Sequence, residues 1–96
     1  MDNLQPEVSI IIVNYNVKEL LIKCFGSVYK YCQTSFEIIL IDNNSSDESV
    51  EAIKNSYPDT IIIENKFNAG FPQANNQGIT IAKGKYILLL NTATRH

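Results

Sequence analysis

Residues 9–16 read Ser9-Ile10-Ile11-Ile12-Val13-Asn14-Tyr15-Asn16, an isoleucine-rich run that breaks into asparagine. Its apolar residues do not alternate with polar ones, the pattern of a parallel strand covered on both faces rather than one with a wet side. Three further runs have the same character: Phe36-Glu37-Ile38-Ile39-Leu40-Ile41, Thr60-Ile61-Ile62-Ile63 and Tyr86-Ile87-Leu88-Leu89-Leu90. They recur about every 25 residues, the length that a crossover helix and its two loops require.

The connecting segments read as those helices. Between Asn16 and Cys32, Leu20, Leu21, Cys24, Phe25, Val28, Tyr31 and Cys32 fall on one helical stripe, with Asn16 as the expected N-cap. In the second connection Ser45 and Glu48 have capping-box spacing, Asp47 suits the positive helix end, Val50, Ile53 and Tyr57 form the stripe, and Pro58 ends it. The third runs from about Pro72 through Ala74, Gly78, Ile81 and Ala82 to a stop at Gly84. Gly78 costs about 1 kcal/mol of helix propensity, which makes sense if the backbone packs close to the sheet. The order β-α-β-α-β-α-β with right-handed crossovers is a small layered α/β sheet. Residues 1–7 are expected to be a flexible lead-in and residues 8–96 a single domain.

Composition narrows the function classes. The 96 residues are 45% hydrophobic and 19% charged with a net charge of −2, and the basic residues are spread from Lys18 to Arg95 without a cluster. That excludes an electrostatic footprint for nucleic acid or an anionic membrane. The apolar runs fall far short of the roughly 18 residues a bilayer span needs, and Met1 to Pro6 lacks the order of a signal peptide, so a cytoplasmic location is expected. Cys24 and Cys32 on one helix stand roughly 12 Å apart, too far for a disulfide, and are expected to be reduced core thiols.

Ligands of such sheets bind beyond the carboxyl ends of the strands. Here those ends are rich in amides: Asn14 and Asn16, Asn43 and Asn44, Asn65 and Asn68, and Asn91 followed by Thr92-Ala93-Thr94. Singly, each suits a cap or turn; together they make a neutral hydrogen-bonding rim. Glycines stand only at 26, 70, 78 and 84, so no phosphate-cradling loop follows the first strand. A bound diphosphate would need a metal on carboxylates, and Asp42 is the one carboxylate expected directly at a strand end, with Asp47 and Glu48 a few residues on. His96, the sole histidine and last residue, is no basis for a nucleophilic pair. Tyr15 is either a platform for a base or a ring packed under a loop.

Four segments carry a resemblance: Val8 to Asn16; Ile41-Asp42-Asn43-Asn44-Ser45-Ser46-Asp47; Asn68-Ala69-Gly70-Phe71 continuing to Asn75-Asn76-Gln77-Gly78; and Gly84-Lys85-Tyr86 through Asn91. In order and spacing they resemble family 2 glycosyltransferases, over about residues 7–91, and look most like the rhamnosyltransferase-like branch that builds bacterial surface polysaccharides. The resemblance implies the Rossmann-like nucleotide-diphosphosugar transferase fold called GT-A, with sheet order 3-2-1-4, of which this chain is the N-terminal half. It implies nucleotide contacts from Tyr15, Asn16, Asp42, Asn43, Gly70 and Asn76, with Tyr15 stacking and Asp42 and Asn43 on the base. An amide or carboxylate there can accept the imide N–H of uracil or thymine.

Two departures stand out. Many relatives carry a second aspartate where this chain has Asn43, and relatives place an aspartate just after the position of Asn91 to hold manganese or magnesium on the diphosphate. The chain also ends before the region that supplies the acceptor site and general base. It is therefore expected to bind a UDP- or dTDP-linked sugar without a metal ligand or catalytic residue of its own, and to be inactive alone. The alternatives are a non-catalytic nucleotide-sugar-binding module and a structural fragment that forms a homo-oligomer through the open edge strand Tyr86–Leu90.

Overall fold

The computed structural model describes residues 5–92. Four strands, β1 (Val8–Asn14), β2 (Phe36–Asp42), β3 (Ile61–Glu64) and β4 (Tyr86–Asn91), alternate with three helices, α1 (Lys18–Tyr31), α2 (Ser49–Ser56) and α3 (Phe71–Ile81). The strands form one parallel sheet in the order β3-β2-β1-β4, the order that the sequence resemblance implies.

The two faces of the sheet follow from the strand period of two. Ile10 and Ile12 of β1 and Ile38 and Leu40 of β2 pack against Leu21, Phe25 and Val28 of α1 and Ile53 of α2. Ile11, Ile39 and Ile41 point the other way, onto Ala74 of α3. The unbroken apolar runs of β1 and β2 are thus explained by helices on both sides. β3 and β4 are different: both are edges, and Tyr86, Ile87, Leu88 and Leu89 of β4 are 45–64% exposed. The expectation of strands covered on both faces holds in full for the inner pair; β3 sends half-buried Ile62 to one cluster and Ile63 to the other, while most of β4 stays exposed and Leu90 packs against the α1 side.

The helices keep their expected places but not their expected ends. Leu20 and Tyr31 of the α1 stripe are exposed, and its buried line is Leu21, Phe25 and Val28. Cys24 and Cys32 are free, and both pack half-buried against the core. Burial pushes the Cys24 thiol above its usual range, which keeps it protonated. α3 starts at Phe71, so Pro72 is its second residue, and it ends at Ile81 with Ala82 as C-cap rather than at Gly84.

Gly78 does pack against the sheet as expected: a Cβ there would meet Ile11 Cγ2 at 2.7 Å and Ile41 Cδ1 at 2.9 Å. Of the lead-in, residues 1–4 lie outside the described part. Pro6 and Glu7 accept hydrogen bonds through their carbonyls from the Lys85 and Tyr86 N–H groups, and the Glu7 N–H donates to the Ser35 carbonyl.

Candidate functional site

β1 and β2 finish side by side, with Asn14 opposite Asp42 in the register and both side chains buried. The Asn14 amide donates to Asp42 Oδ1 at 2.8 Å, to Ser49 Oγ at 2.7 Å and to Ser45 Oγ at 3.1 Å. Asp42 Oδ2 accepts the Ser45 N–H at 2.9 Å. Turning the Asn14 amide over would set its oxygen against the carboxylate, so its orientation is fixed by its partners. The arrangement leaves Asn14 Oδ1 buried without a partner.

Beyond this pair the chain turns through Tyr15, whose side chain is 49% exposed, and Asn16, at φ 53°. Asparagine tolerates the left-handed region better than most residues. The Asn16 N–H donates to Ser45 Oγ, and Asn16 Oδ1 accepts the Ser46 N–H at 2.8 Å, lacing the loop after β1 to the loop after β2. Asn16 is therefore not the N-cap of α1; Val17 holds that position. The cap comes from another loop: Asp47 Oδ2 accepts the Lys18 N–H at 3.0 Å, while Asp47 Oδ1 accepts both the N–H and the hydroxyl of Ser49.

One carboxylate thus serves the first residues of α1 and α2. The expected Ser45–Glu48 capping box is absent, since Glu48 is itself the N-cap residue at φ 66° with no side-chain cap bond. Partial burial raises the Asp47 carboxyl, but the hydrogen bonds from the Ser49 hydroxyl, the Ser49 N–H and the Lys18 N–H outweigh it and bring the group below its usual range.

Asn43 points to the other face of the sheet. It is buried, its N–H donates to the Asn14 carbonyl, and its side chain joins the loop that leads into α3. Gly70, the N-cap of α3, sits at φ 86°, and its N–H donates to Asn68 Oδ1. Asn76 is exposed on α3; the inward-facing neighbour is Asn75, 6% exposed, whose Oδ1 has no partner. The six expected residues therefore fall into two groups. Tyr15, Asn16 and Asp42 lie on the α1–α2 side, Asn43 and Gly70 lie on the α3 side, and Asn76 stands apart.

Asn14, Ser49, Asn65 and Gln77 complete the network although sequence reasoning did not single them out as site residues. For Asn14 the signal was available, since parallel strands of equal length ending in Asn and Asp put an amide beside a carboxylate.

Among the described residues no group of three or more His, Cys, Asp or Glu side chains could hold a metal ion. Asp42 and Asp47 are engaged by amide, hydroxyl and backbone donors, and the fourth strand end offers the neutral Asn91 and Thr92. Asp42 is not the only strand-end carboxylate: β3 ends in Glu64, opposite Asp42 in the register, but its carboxylate pairs with Lys54 Nζ at 3.2 Å. The described residues by themselves do not fit a divalent cation. Ala93, Thr94 and His96 lie outside them.

The family model "Glycosyl transferase family 2" matches residues 9–92. A poly(ribitol-phosphate) beta-glucosyltransferase of Bacillus spizizenii is 35% identical over 92 residues, covering 90% of this chain and 14% of that protein. Among solved structures, the mannosyltransferase PcManGT of Pyrobaculum calidifontis, in complex with GDP-Man and Mn2+, superposes with a TM-score of 0.78 at 21% identity, over 94% of this chain and 28% of that one. Staphylococcus aureus TarS 1-349 in complex with UDP gives a TM-score of 0.80 at 21% identity, over 90% of this chain and 27% of that one. The likeness to these structures is one of fold, and the chain spans well under a third of each of these three proteins.

Proposed function

Because the chain belongs to glycosyl transferase family 2, we propose that it forms the donor-binding part of an enzyme that moves a sugar from a nucleotide-diphosphate carrier to a hydroxyl acceptor. The observation that carries this reading is an exposed aromatic ring, Tyr15, one residue beyond a buried amide–carboxylate pair at the carboxyl end of the sheet. A phenol ring left half in water at such a place offers a face to a base, whereas a ring serving the core would be covered. Each Asp42 oxygen accepts one described hydrogen bond, leaving lone pairs for the imide N–H of a pyrimidine. In this reading Asn16 stands beside Tyr15 at the mouth, whereas Asn43 and Gly70 lie toward α3 and Asn76 stands exposed on that helix.

The proposed donor is a UDP- or dTDP-linked sugar, and the proposed setting is assembly of a bacterial surface polysaccharide in the cytoplasm. Both cysteines are free, in keeping with a reducing compartment, and no described helix is long and apolar enough to cross a membrane. In this reading the general base, the acceptor site and the carboxylates for the family's divalent metal come from outside the described residues, and the chain does not turn over alone.

Titration of the 96-residue chain with UDP, dTDP and GDP, followed by 15N chemical shifts with and without manganese, tests the proposal. Shifts at Tyr15 and Asp42 with the two pyrimidine nucleotides are expected. If those positions stay unmoved at millimolar UDP and dTDP, the reading fails.

A second reading has its own observation, the bare apolar strand β4. We propose that this chain forms a homo-oligomer through Tyr86–Leu90, edge against edge.

A further inference from the structure

We propose that Asn43 is a positioning residue: its side-chain amide clasps the loop from Asn65 to Gly70 onto the sheet and fixes the start of α3, and it does not itself touch the nucleotide. The inference rests on the donor reading above and gives one of its residues a different task.

Asn43 is 2% exposed, and both ends of its amide are engaged. Its Oδ1 accepts from Asn65 Nδ2 at 2.9 Å and from the Ala69 N–H at 3.3 Å. Its Nδ2 donates to the Gly70 carbonyl at 3.4 Å. That same carbonyl accepts the Ala74 N–H, the first backbone bond of α3. Asn65 in turn forms a reciprocal amide pair with Gln77, at 2.8 and 2.9 Å. A chain of neutral amides therefore runs from the end of β2 through the end of β3 to the second turn of α3. Gly70, the N-cap residue at φ 86°, has no side chain, and the Asn43 bond to its carbonyl is no substitute for a cap; it fixes the peptide from which the first backbone bond of α3 leaves.

The chemistry separates a clasp from a base contact by sign. An acid at position 43 could still accept from Asn65 and Ala69, but it sets a carboxylate oxygen against the Gly70 carbonyl oxygen, losing a donor and adding a repulsion that drives the loop, Ala69 included, off the sheet. Were position 43 a direct acceptor for an imide N–H, the same change would hold or strengthen nucleotide binding, since a charged acceptor makes the stronger hydrogen bond.

The experiment titrates the 96-residue chain and its Asn43→Asp and Asn65→Asp variants with UDP and follows amide exchange at Ala69. Asn65→Asp breaks the clasp while leaving Asn43 in place. Both variants are expected to bind UDP about 3- to 10-fold more weakly, the loss of one modest hydrogen bond, and to lose protection at Ala69. Lowering the pH from about 7.5 to about 5 should restore part of the Asn43→Asp affinity, because burial beside the Gly70 carbonyl raises the introduced carboxyl above its ordinary value and the acid regains an O–H donor once protonated.

UDP affinity in Asn43→Asp equal to or tighter than that of the unaltered chain overturns the proposal. If that variant does not fold, an unchanged affinity in Asn65→Asp overturns it. Failure of the unaltered chain to bind UDP sinks the donor reading instead; the clasp then stands or falls on exchange at Ala69 in either variant.

Discussion

At the scale of single residues, the side chains that shape this mouth act across loops rather than along the chain. Asp47 is the clearest case, holding the first N–H of α1 from the loop after β2 while also serving Ser49. Asp47→Ala is expected to cost about 1–2 kcal/mol, in the range measured for single caps, read as a lower denaturant midpoint. The pH dependence has a definite sign. The folded-state carboxyl lies below its ordinary value, so its stabilisation is present above the unfolded pKa of about 3.9 and fades as pH falls through that value toward the folded pKa. Asp47→Asn should flatten stability against pH in that acid window, and an unchanged slope would contradict the assignment.

Asn75 makes the opposite prediction, because its buried oxygen has no partner. Asn75→Leu, which keeps the branching and heavy-atom count with bulkier methyls, should raise stability, by up to about 1–3 kcal/mol for removing an unsatisfied buried polar group less the cost of fitting the methyls. A thermal melt that does not rise would mean that water satisfies the amide in solution. Asp42 and Tyr15 were legible in the sequence as strand-end residues. The partners of Asn43 were not, since hydrogen bonds to Asn65, Ala69 and Gly70 join positions 22–27 residues apart that only the fold brings together.

At the scale of elements, every strand and helix was legible because the apolar runs and stripes report burial, which is a property of the local pattern. The ends were not. A capping box assumes that a helix is closed by its own neighbours, and here α1 is closed by Asp47 while α2 begins on a left-handed Glu48. Glycines show the same contrast.

Gly84 reads locally as a helix stop, yet α3 has already ended, and its real constraint is the strand beside it. A Cβ at Gly84 would lie 2.5 Å from the Ser9 backbone nitrogen, and the Gly84 N–H donates to Ser9 Oγ, which itself donates to Glu37. At Gly78 the obstacle is side chain rather than backbone, Ile11 Cγ2 and Ile41 Cδ1. Gly78→Ala should therefore cost about 1–2 kcal/mol, overpacking offset by helix propensity, and Gly84→Ala should cost more, because backbone cannot swing aside. Urea melts that rank the two the other way would show that the lead-in and β1 yield more readily than the core.

At the scale of the whole molecule, the balance of covered and bare sheet decides behaviour in solution. β1 and β2 are sealed by helices on both faces, whereas among the described residues β4 pairs only with β1, and Tyr86, Ile87, Leu88 and Leu89 are exposed along its length. A bare parallel edge of one isoleucine and three leucines carries outward N–H and C=O groups beside apolar surface, the combination that recruits another strand. Lys85 precedes this strand, and its interior carries no charge to oppose pairing.

The 96-residue chain is accordingly expected to sediment as a concentration-dependent dimer or larger species, and Leu88→Lys, which places a charge in the middle of the edge, should shift it to monomer while leaving the buried pair Asn14–Asp42 and the Asn43 clasp untouched. A monomer at all concentrations, with the β4 amides protected only on the β1 side, would refute the pairing. Nucleotide binding measured on the Leu88→Lys monomer then separates the two properties. The mouth is built from the ends of β1, β2 and the start of α3, so its affinity for UDP should be the same whether or not β4 is paired.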